Sequence, residues 1–330
     1  MQLSLNKLPW YAQVGAFVGL SAAAVGVFYN FYVSPFETEM ATRQQQLTSL
    51  RSDINRGLAT IYYTPELGVS RDSLWARANT AMERAERADP TSADVIALRA
   101  ASVSGLDTED EVRTLSRAVA IDPRNASLRH YLAIKLRHLN YDSAAVAEFR
   151  KVVDIEPDRA ISLVNLGQTH MVARRYAEAR KWFDSALVFR PELPFYYKDY
   201  AMVLLQLGDT AGARASAMLV ASHGSDIGRE EILAIIEARR GDSASARARL
   251  VPVAKVIEKL DCVISYECSE FAFSLAQVGE PDQAIAVLGR MKPLNTWFAY
   301  WTQRAEFDPI RNDPRFRRMR DAALSGQSQR

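Results

Sequence analysis

The residues with the greatest chemical potential are few. Cys262 and Cys268 are the only thiols, six positions apart, in a stretch that reads as an enlarged loop over residues 261–269. In an oxidising compartment two cysteines at this spacing close a short loop as a disulfide, whereas in a reducing one they remain free thiols. The pair therefore reports on topology as well as local structure. Two sulfurs without a nearby imidazole do not make a zinc site. The four histidines, His130, His138, His170 and His223, all lie far off in sequence. His130 and His138 share a helical stretch with Arg137 but have no nucleophile or metal partner, so they read as surface lining rather than a catalytic pair. A glycine-rich phosphate loop, a nucleophile elbow and a pair of metal-ligating histidines on one helix are all absent from the sequence, and its carboxylates are scattered. The expectation is a protein without catalytic, metal or cofactor residues.

Charge adds little to that list. Charged residues make up 24% of the 330 positions and the formal net charge is +2, too balanced for a strong polyanion-binding surface. Arg311, Arg315, Arg317, Arg318 and Arg320 form a basic cluster near the end. Without a recognition motif it does not point to nucleic acid. It reads as the solvated face of a closing helix, with contact to an acidic partner or lipid head groups as the alternative.

What must position all these residues is a repeat. Pro90, Pro123, Pro157 and Pro191 recur at intervals of 33, 34 and 34 residues, each ending a helical stretch. Such a period marks helix pairs that cannot bury their apolar faces alone and must stack on neighbours. The turn inside each pair keeps the same register through Asn140, Arg174, Gly208 and Gly241, at intervals of 34, 34 and 33, and a further turn follows at Gly279. Residues 74–88 read as a lone second helix, because Thr64-Pro65 and Gly68 would break its partner. At the other end Asp313 can cap, and Pro314 can open, a final helix whose Phe316, Met319 and Ala323 face the last pair.

Residues 160–193 carry Leu166-Gly167, Ala179, Phe183, Ala186 and Pro191, and residues 126–159 carry Leu132, Ala133, Ala145, Phe149 and Pro157. These positions resemble the tetratricopeptide repeat (TPR), in which small residues let helices A and B cross closely and larger ones fill the gap to the next repeat. Residues 91–125 are a degenerate copy, with Arg99 and Glu111 where small residues belong. The resemblance implies an all-α, right-handed TPR superhelix over residues 70–310, clearest at 126–159, 160–193 and 194–227, with a capping helix and polar tail at 311–330. It also implies a concave groove lined by helix A of each repeat: Ser127, His130, Ile134, Arg137 and His138, then Gln168 and Met171, then Phe195, Lys198 and Met202. A helix or extended peptide with apolar anchors is the expected occupant.

The N-terminus supplies the second feature. Residues 8–36 contain no charged side chain. Residues 11–33, almost wholly apolar, would span about 34 Å as a helix, enough for a bilayer core of about 30 Å. Aromatic residues flank both ends, as an interfacial belt would. A cleaved signal peptide is the alternative, since Ser21-Ala22-Ala23-Ala24 offers small residues, but the apolar run continues past them. Gly15, Gly19, Ala22 and Gly26 share one helix face and permit close approach of another membrane helix. Residues 1–7 would be a short cytoplasmic tail, and residues 37–62 a stalk helix with Met40, Leu47, Leu50 and Ile54 at coiled-coil-like spacing. With Leu8-Pro9-Trp10-Tyr11 and Phe31-Tyr32-Val33-Ser34-Pro35-Phe36, this region resembles the anchor and stalk of PilO-type type IV pilus components. In that family a small α/β domain follows the stalk; here repeats stand in its place. The expected location is the bacterial inner membrane, N-terminus cytoplasmic and array periplasmic. The expected partners are proteins and membrane lipid, not nucleic acid. The expected role is a membrane-anchored scaffold, or alternatively a constitutive subunit of a larger membrane complex such as a pilus, secretion, respiratory or photosynthetic assembly.

Overall fold

The computed structural model describes residues 109–325 apart from 190–193, 223–225, 261, 263–265 and 292–293, together with a few helical positions before 109. The chain divides into two compact units, Met1–Val95 and Ile96–Arg330, and the fold below is that of the second. The membrane span at 8–36, with Gly15, Gly19, Ala22 and Gly26, and most of the stalk lie outside the described residues. Among the described residues no helix is long and apolar enough to cross a membrane.

Every described element is helical. Helix α1 (Glu109–Ile121) is followed by five pairs: α2 (Ala126–His138) with α3 (Asp142–Ile155), α4 (Ala160–Val172) with α5 (Tyr176–Phe189), α6 (Pro194–Gln206) with α7 (Thr210–Ser222), α8 (Asp226–Arg239) with α9 (Ser243–Ile257), and α10 (Tyr266–Gln277) with α11 (Pro281–Gly289). Then come α12 (Thr296–Trp301), a 3-10 turn (Ala305–Ile310) and α13 (Pro314–Ser325). The two members of each pair pack on one another, and the first members α2, α4, α6, α8 and α10 lie side by side.

Local chemistry explains the boundaries. The reversal inside each pair needs one residue in the left-handed region, and the positive φ recurs in register at Asn140 (65°), Arg174 (59°), Gly208 (81°), Gly241 (87°) and Gly279 (86°). Glycine takes that conformation without steric cost and asparagine tolerates it. Arg174 is the costly exception. Side-chain oxygens cap the exposed amides: Asn125 Oδ1 accepts from Leu128 N at 3.2 Å, Asp209 Oδ1 from Gly212 N at 2.8 Å and Asp242 Oδ1 from Ser245 N at 3.0 Å. At the end Asp313 Oδ1 accepts from Arg315 N at 2.8 Å as α13 starts, with Phe316 and Ala323 of that helix buried and Met319 packed against the core.

The loop expected over 261–269 is shorter than its sequence suggested. α10 begins at Tyr266, so Cys268 belongs to a helix, because Cys268, Phe271, Ala272 and Leu275 form one buried stripe at helical spacing. Cys262 and Cys268 are joined as a disulfide with Cα atoms 5.7 Å apart.

Packing follows the small–large pattern of the repeat. A Cβ on Gly167 of α4 would sit 3.0 Å from two ring carbons of Phe183 of α5, so the ring lies directly on the α4 backbone. Phe149 of α3 packs likewise with Ala133 and Leu166. Each such phenyl is fully buried and contributes about 2–3 kcal/mol by removal from water. Gly167→Val should therefore lower unfolding stability by about 1–3 kcal/mol through overpacking. Gly167→Ala should stay within about 1 kcal/mol of the wild type, because improved helix propensity offsets a smaller clash. Urea denaturation of the three proteins measures both.

Candidate interaction groove

The face formed by the first helices is not empty. After α11 the chain turns across it: α12 contacts α2, and the 3-10 turn packs on α10. Trp301 is buried among Ala160, Leu163, Val164, Met171 and Val203, residues of α4 and α6. Tyr300, also fully buried, lies under the Arg137 guanidinium at 5.6 Å and beside the His138 ring at 6.1 Å. Burial pushes its phenol well above the usual range.

Below these aromatics sits a charge cluster. Arg304, 0% exposed, places Nη1 3.2 Å from Asp199 Oδ1 and 3.1 Å from Glu270 Oε1, while its Nε is 3.2 Å from Glu306 Oε2. Its guanidinium stacks over Trp301 at 4.3 Å and Phe273 at 4.9 Å. The same Glu270 Oε1 accepts from Trp301 Nε1 at 3.3 Å. Lys198 pairs with Glu231 at 2.5 Å and Glu270 Oε2 at 3.3 Å, and Gln168 Nε2 donates to Asp199 Oδ2 at 2.7 Å. Four carboxylates, Asp199, Glu231, Glu270 and Glu306, thus share a buried space with Lys198 and Arg304.

Burial governs the titration. Burial pushes Glu270 up to about 7, with Lys198 and Arg304 pulling against it, and raises Asp199 and Glu231 in the same direction. Burial alone would lower Lys198, but Glu231 and Glu270 outweigh it and hold the ammonium above its ordinary value. The arrangement holds a planar cation between acidic and aromatic groups. It provides no nucleophile beside a base, and among the described residues no group of His, Cys, Asp and Glu is placed to hold a metal ion.

The rim carries exposed contacts of a different kind. Arg174, at the left-handed turn after α4, forms a bidentate pair with Asp308 at 2.7 and 2.8 Å, and Gln303 Nε2 donates to Asn140 Oδ1 at 2.5 Å. Two of the five reversal turns, those at Asn140 and Arg174, thereby grip the crossing segment. Arg311 closes it internally, donating to the carbonyls of Thr302, Gln303 and Arg304.

None of the groove residues expected from the repeat register is exposed where its side chain is described. Ser127 accepts from Arg159 at 3.2 Å, and His130 pairs with Ser162 Oγ at 2.8 Å and meets the Phe149 edge. Those two pack between neighbouring pairs rather than facing a ligand, and burial, reinforced by Arg159 and Arg137, pushes the His130 imidazole down to about 3. Arg137, His138, Gln168, Met171 and Lys198 come together beneath the crossing segment or at its edge. Ile134 is half-buried near α4, Met202 is buried in the main core, and Phe195 lies in α6 with its side chain outside the description. Asp199, Glu231, Glu270, Arg304 and Glu306 were missed. A signal existed: Lys198 and Glu231 are 33 apart and Glu270 and Arg304 are 34 apart, one repeat each.

Solved structures of similar shape are TPR proteins. The widely conserved type IV pilus biogenesis factor PilW superimposes with a TM-score of 0.51 at 16% identity, over 64% of this chain and 96% of that one. Pseudomonas aeruginosa PilF gives 0.49 at 19% identity over 66% and 95%, and MamA gives 0.40 at 15% over 46% and 90%. No protein-family model matches the sequence, and no curated protein matches it. The likeness to PilW supports the fold: an all-helical TPR-type array.

Glu270 sets a pH signature. Between pH 4.5 and about 7 the native state keeps a proton on Glu270 that the unfolded chain releases, so this group's contribution falls as pH rises through that window. His130 and His170, pushed down to about 3 and about 4, contribute with the opposite slope up to pH 6.5. Unfolding stability of Glu270→Gln minus that of the wild type should therefore increase between pH 4.5 and 7 and level off above, as read from denaturant titrations at each pH.

Proposed function

We propose that this chain is a membrane-anchored TPR scaffold that brings proteins together at the bacterial cell envelope. The observation that carries the reading is a helical-pair array held by the repeat register, preceded in sequence by an apolar stretch at residues 11–33 long enough to cross a bilayer. In this reading residues 8–36 span the inner membrane with residues 1–7 in the cytoplasm, residues 37–62 form a stalk, and the array stands in the periplasm. There the Cys262–Cys268 pair stays oxidised. Its contacts are with protein partners and with the lipid around the anchor. Neither catalysis nor a cofactor is part of the role.

A specific observation favours a second reading, a constitutive subunit of a larger membrane complex. The inner face is filled by the chain's own segment, while aliphatic side chains stand in water on the second helices: Val188 is 77%, Met218 57% and Val251 53% exposed. A permanent neighbour on that outer face would cover them. In this version Gly15, Gly19, Ala22 and Gly26 pack against another membrane helix.

Affinity purification of the full-length protein from its native membrane in mild detergent, with mass spectrometry and sizing of the intact assembly, separates the two. Partners at fixed stoichiometry indicate a subunit, and sparse or conditional partners a scaffold. Gly15→Leu with Gly19→Leu should release the partners of a subunit and leave those of a scaffold bound. Recovery of the chain alone under all conditions would sink both.

A further inference from the structure

The inner face of the array already holds a peptide, its own, and the chemistry of that occupant identifies what the face is built to receive. The crossing segment enters with Tyr300 and Trp301 on α2 and α4, drives Arg304 to the bottom, and leaves through Asp308 on the rim. Its receiving surface is contributed by separate helices: Gln168 from α4, Lys198 and Asp199 from α6, Glu231 from α8, and Glu270 with Phe273 from α10. These groups carry three carboxylates against one ammonium before the segment arrives. Buried carboxylates need donors, and Arg304 Nη1 reaches two of them, Asp199 at 3.2 Å and Glu270 at 3.1 Å, while its Nε and Nη2 pair with Glu306 of the segment itself, a planar fork that an ammonium cannot reproduce. The aromatic wall of Phe273 completes a cation receptor.

The segment's attachment has two parts with different character. Its core contacts are buried, but the bonds that hold it at the edges, Arg174 with Asp308 and Gln303 with Asn140, are exposed and start from the reversal turns. Exposed pairs are screened by water and contribute little, so the edges can open at low cost. Arg174 also bears a left-handed φ that a glycine would relieve.

We infer that the inner face is a receptor for an arginine-bearing aromatic segment of a partner protein, closed in cis by residues 296–311, which must leave before the partner binds. This rests on the reading of the chain as a protein-binding scaffold. It assigns that scaffold a specificity, arginine following an aromatic pair, and an internal competitor.

The test uses full-length protein in detergent, wild type and Arg174→Gly/Gln303→Ala, with a fluorescent peptide of residues 295–311 as the probe. Both substitutions lie at the exposed rim and spare the buried cluster, and Arg174→Gly suits the backbone at its position. Amide exchange should show residues 299–310 of the double variant losing protection while α4 and α6 keep theirs. The variant should bind the peptide at least about tenfold more tightly than the wild type does. The peptide with Arg304→Ala should bind at least about tenfold more weakly than the unaltered one. Unchanged protection of residues 299–310 overturns the inference, and so does opening without peptide capture. Dimers formed by exchange of the segment also overturn it, in favour of self-association. Partners recovered from membranes with wild-type protein alongside any of these negative results would leave the scaffold reading standing and remove only this one.

Discussion

Each helix pair has an apolar stripe that it cannot cover by itself, and the structure depends on how that stripe is covered. Phe183 reaches the backbone of the neighbouring helix because Gly167 leaves room for its ring, and Phe149 packs beside the small Ala133 and Ala145 with Leu166. Close approach of this kind needs both a small residue and a large one at fixed register, which forces the 34-residue period. The same register then repeats the reversal turn, and with it the requirement for a left-handed residue. Caps, turns and core are therefore one constraint seen at three places, and their agreement is what a foldable array requires.

Stacking alone leaves an inner face lined by the first helices, and its polar content creates a second constraint. Asp199, Glu231 and Glu270 cannot all remain ionised away from water with Lys198 as their only cation. Arg304 enters from the C-terminal segment with Glu306 paired to it and bridges Asp199 and Glu270, with the rings of Trp301 and Phe273 4.3 and 4.9 Å from its guanidinium. A cluster of this kind is weak evidence for net stability, since desolvation cancels much of the attraction. An aliphatic side chain in place of the guanidinium would remove the contacts to Asp199, Glu270 and Glu306 while leaving those of Lys198 and Gln168 in place.

How much was legible varies by residue. The turns at Gly208, Gly241 and Gly279 could be read from sequence because glycine favours the left-handed residue they need, and those at Asn140 and Arg174 because they keep the 34-residue register. Asp313 and Pro314 announced α13 for the same reason. Cys268 was misplaced into a loop because its helical stripe, with Phe271, Ala272 and Leu275, is short and interrupted by Ser269 and Glu270. Ser127 and His130 were placed in the groove by analogy of position, yet Ser162, Phe149 and Arg159 draw them into the interface between pairs.

The sequence by itself determined the helical pairs and their order, because both follow from contacts between residues at most one repeat apart. Where residues 296–311 go was decided only by tertiary structure. Arg304 meets Asp199, and Gln303 meets Asn140 over a separation of 163 residues, only after five pairs have stacked. No local propensity encodes such a meeting. It depends on the accumulated geometry of the array, which carries the inner face of α2 and α4 to where the chain returns.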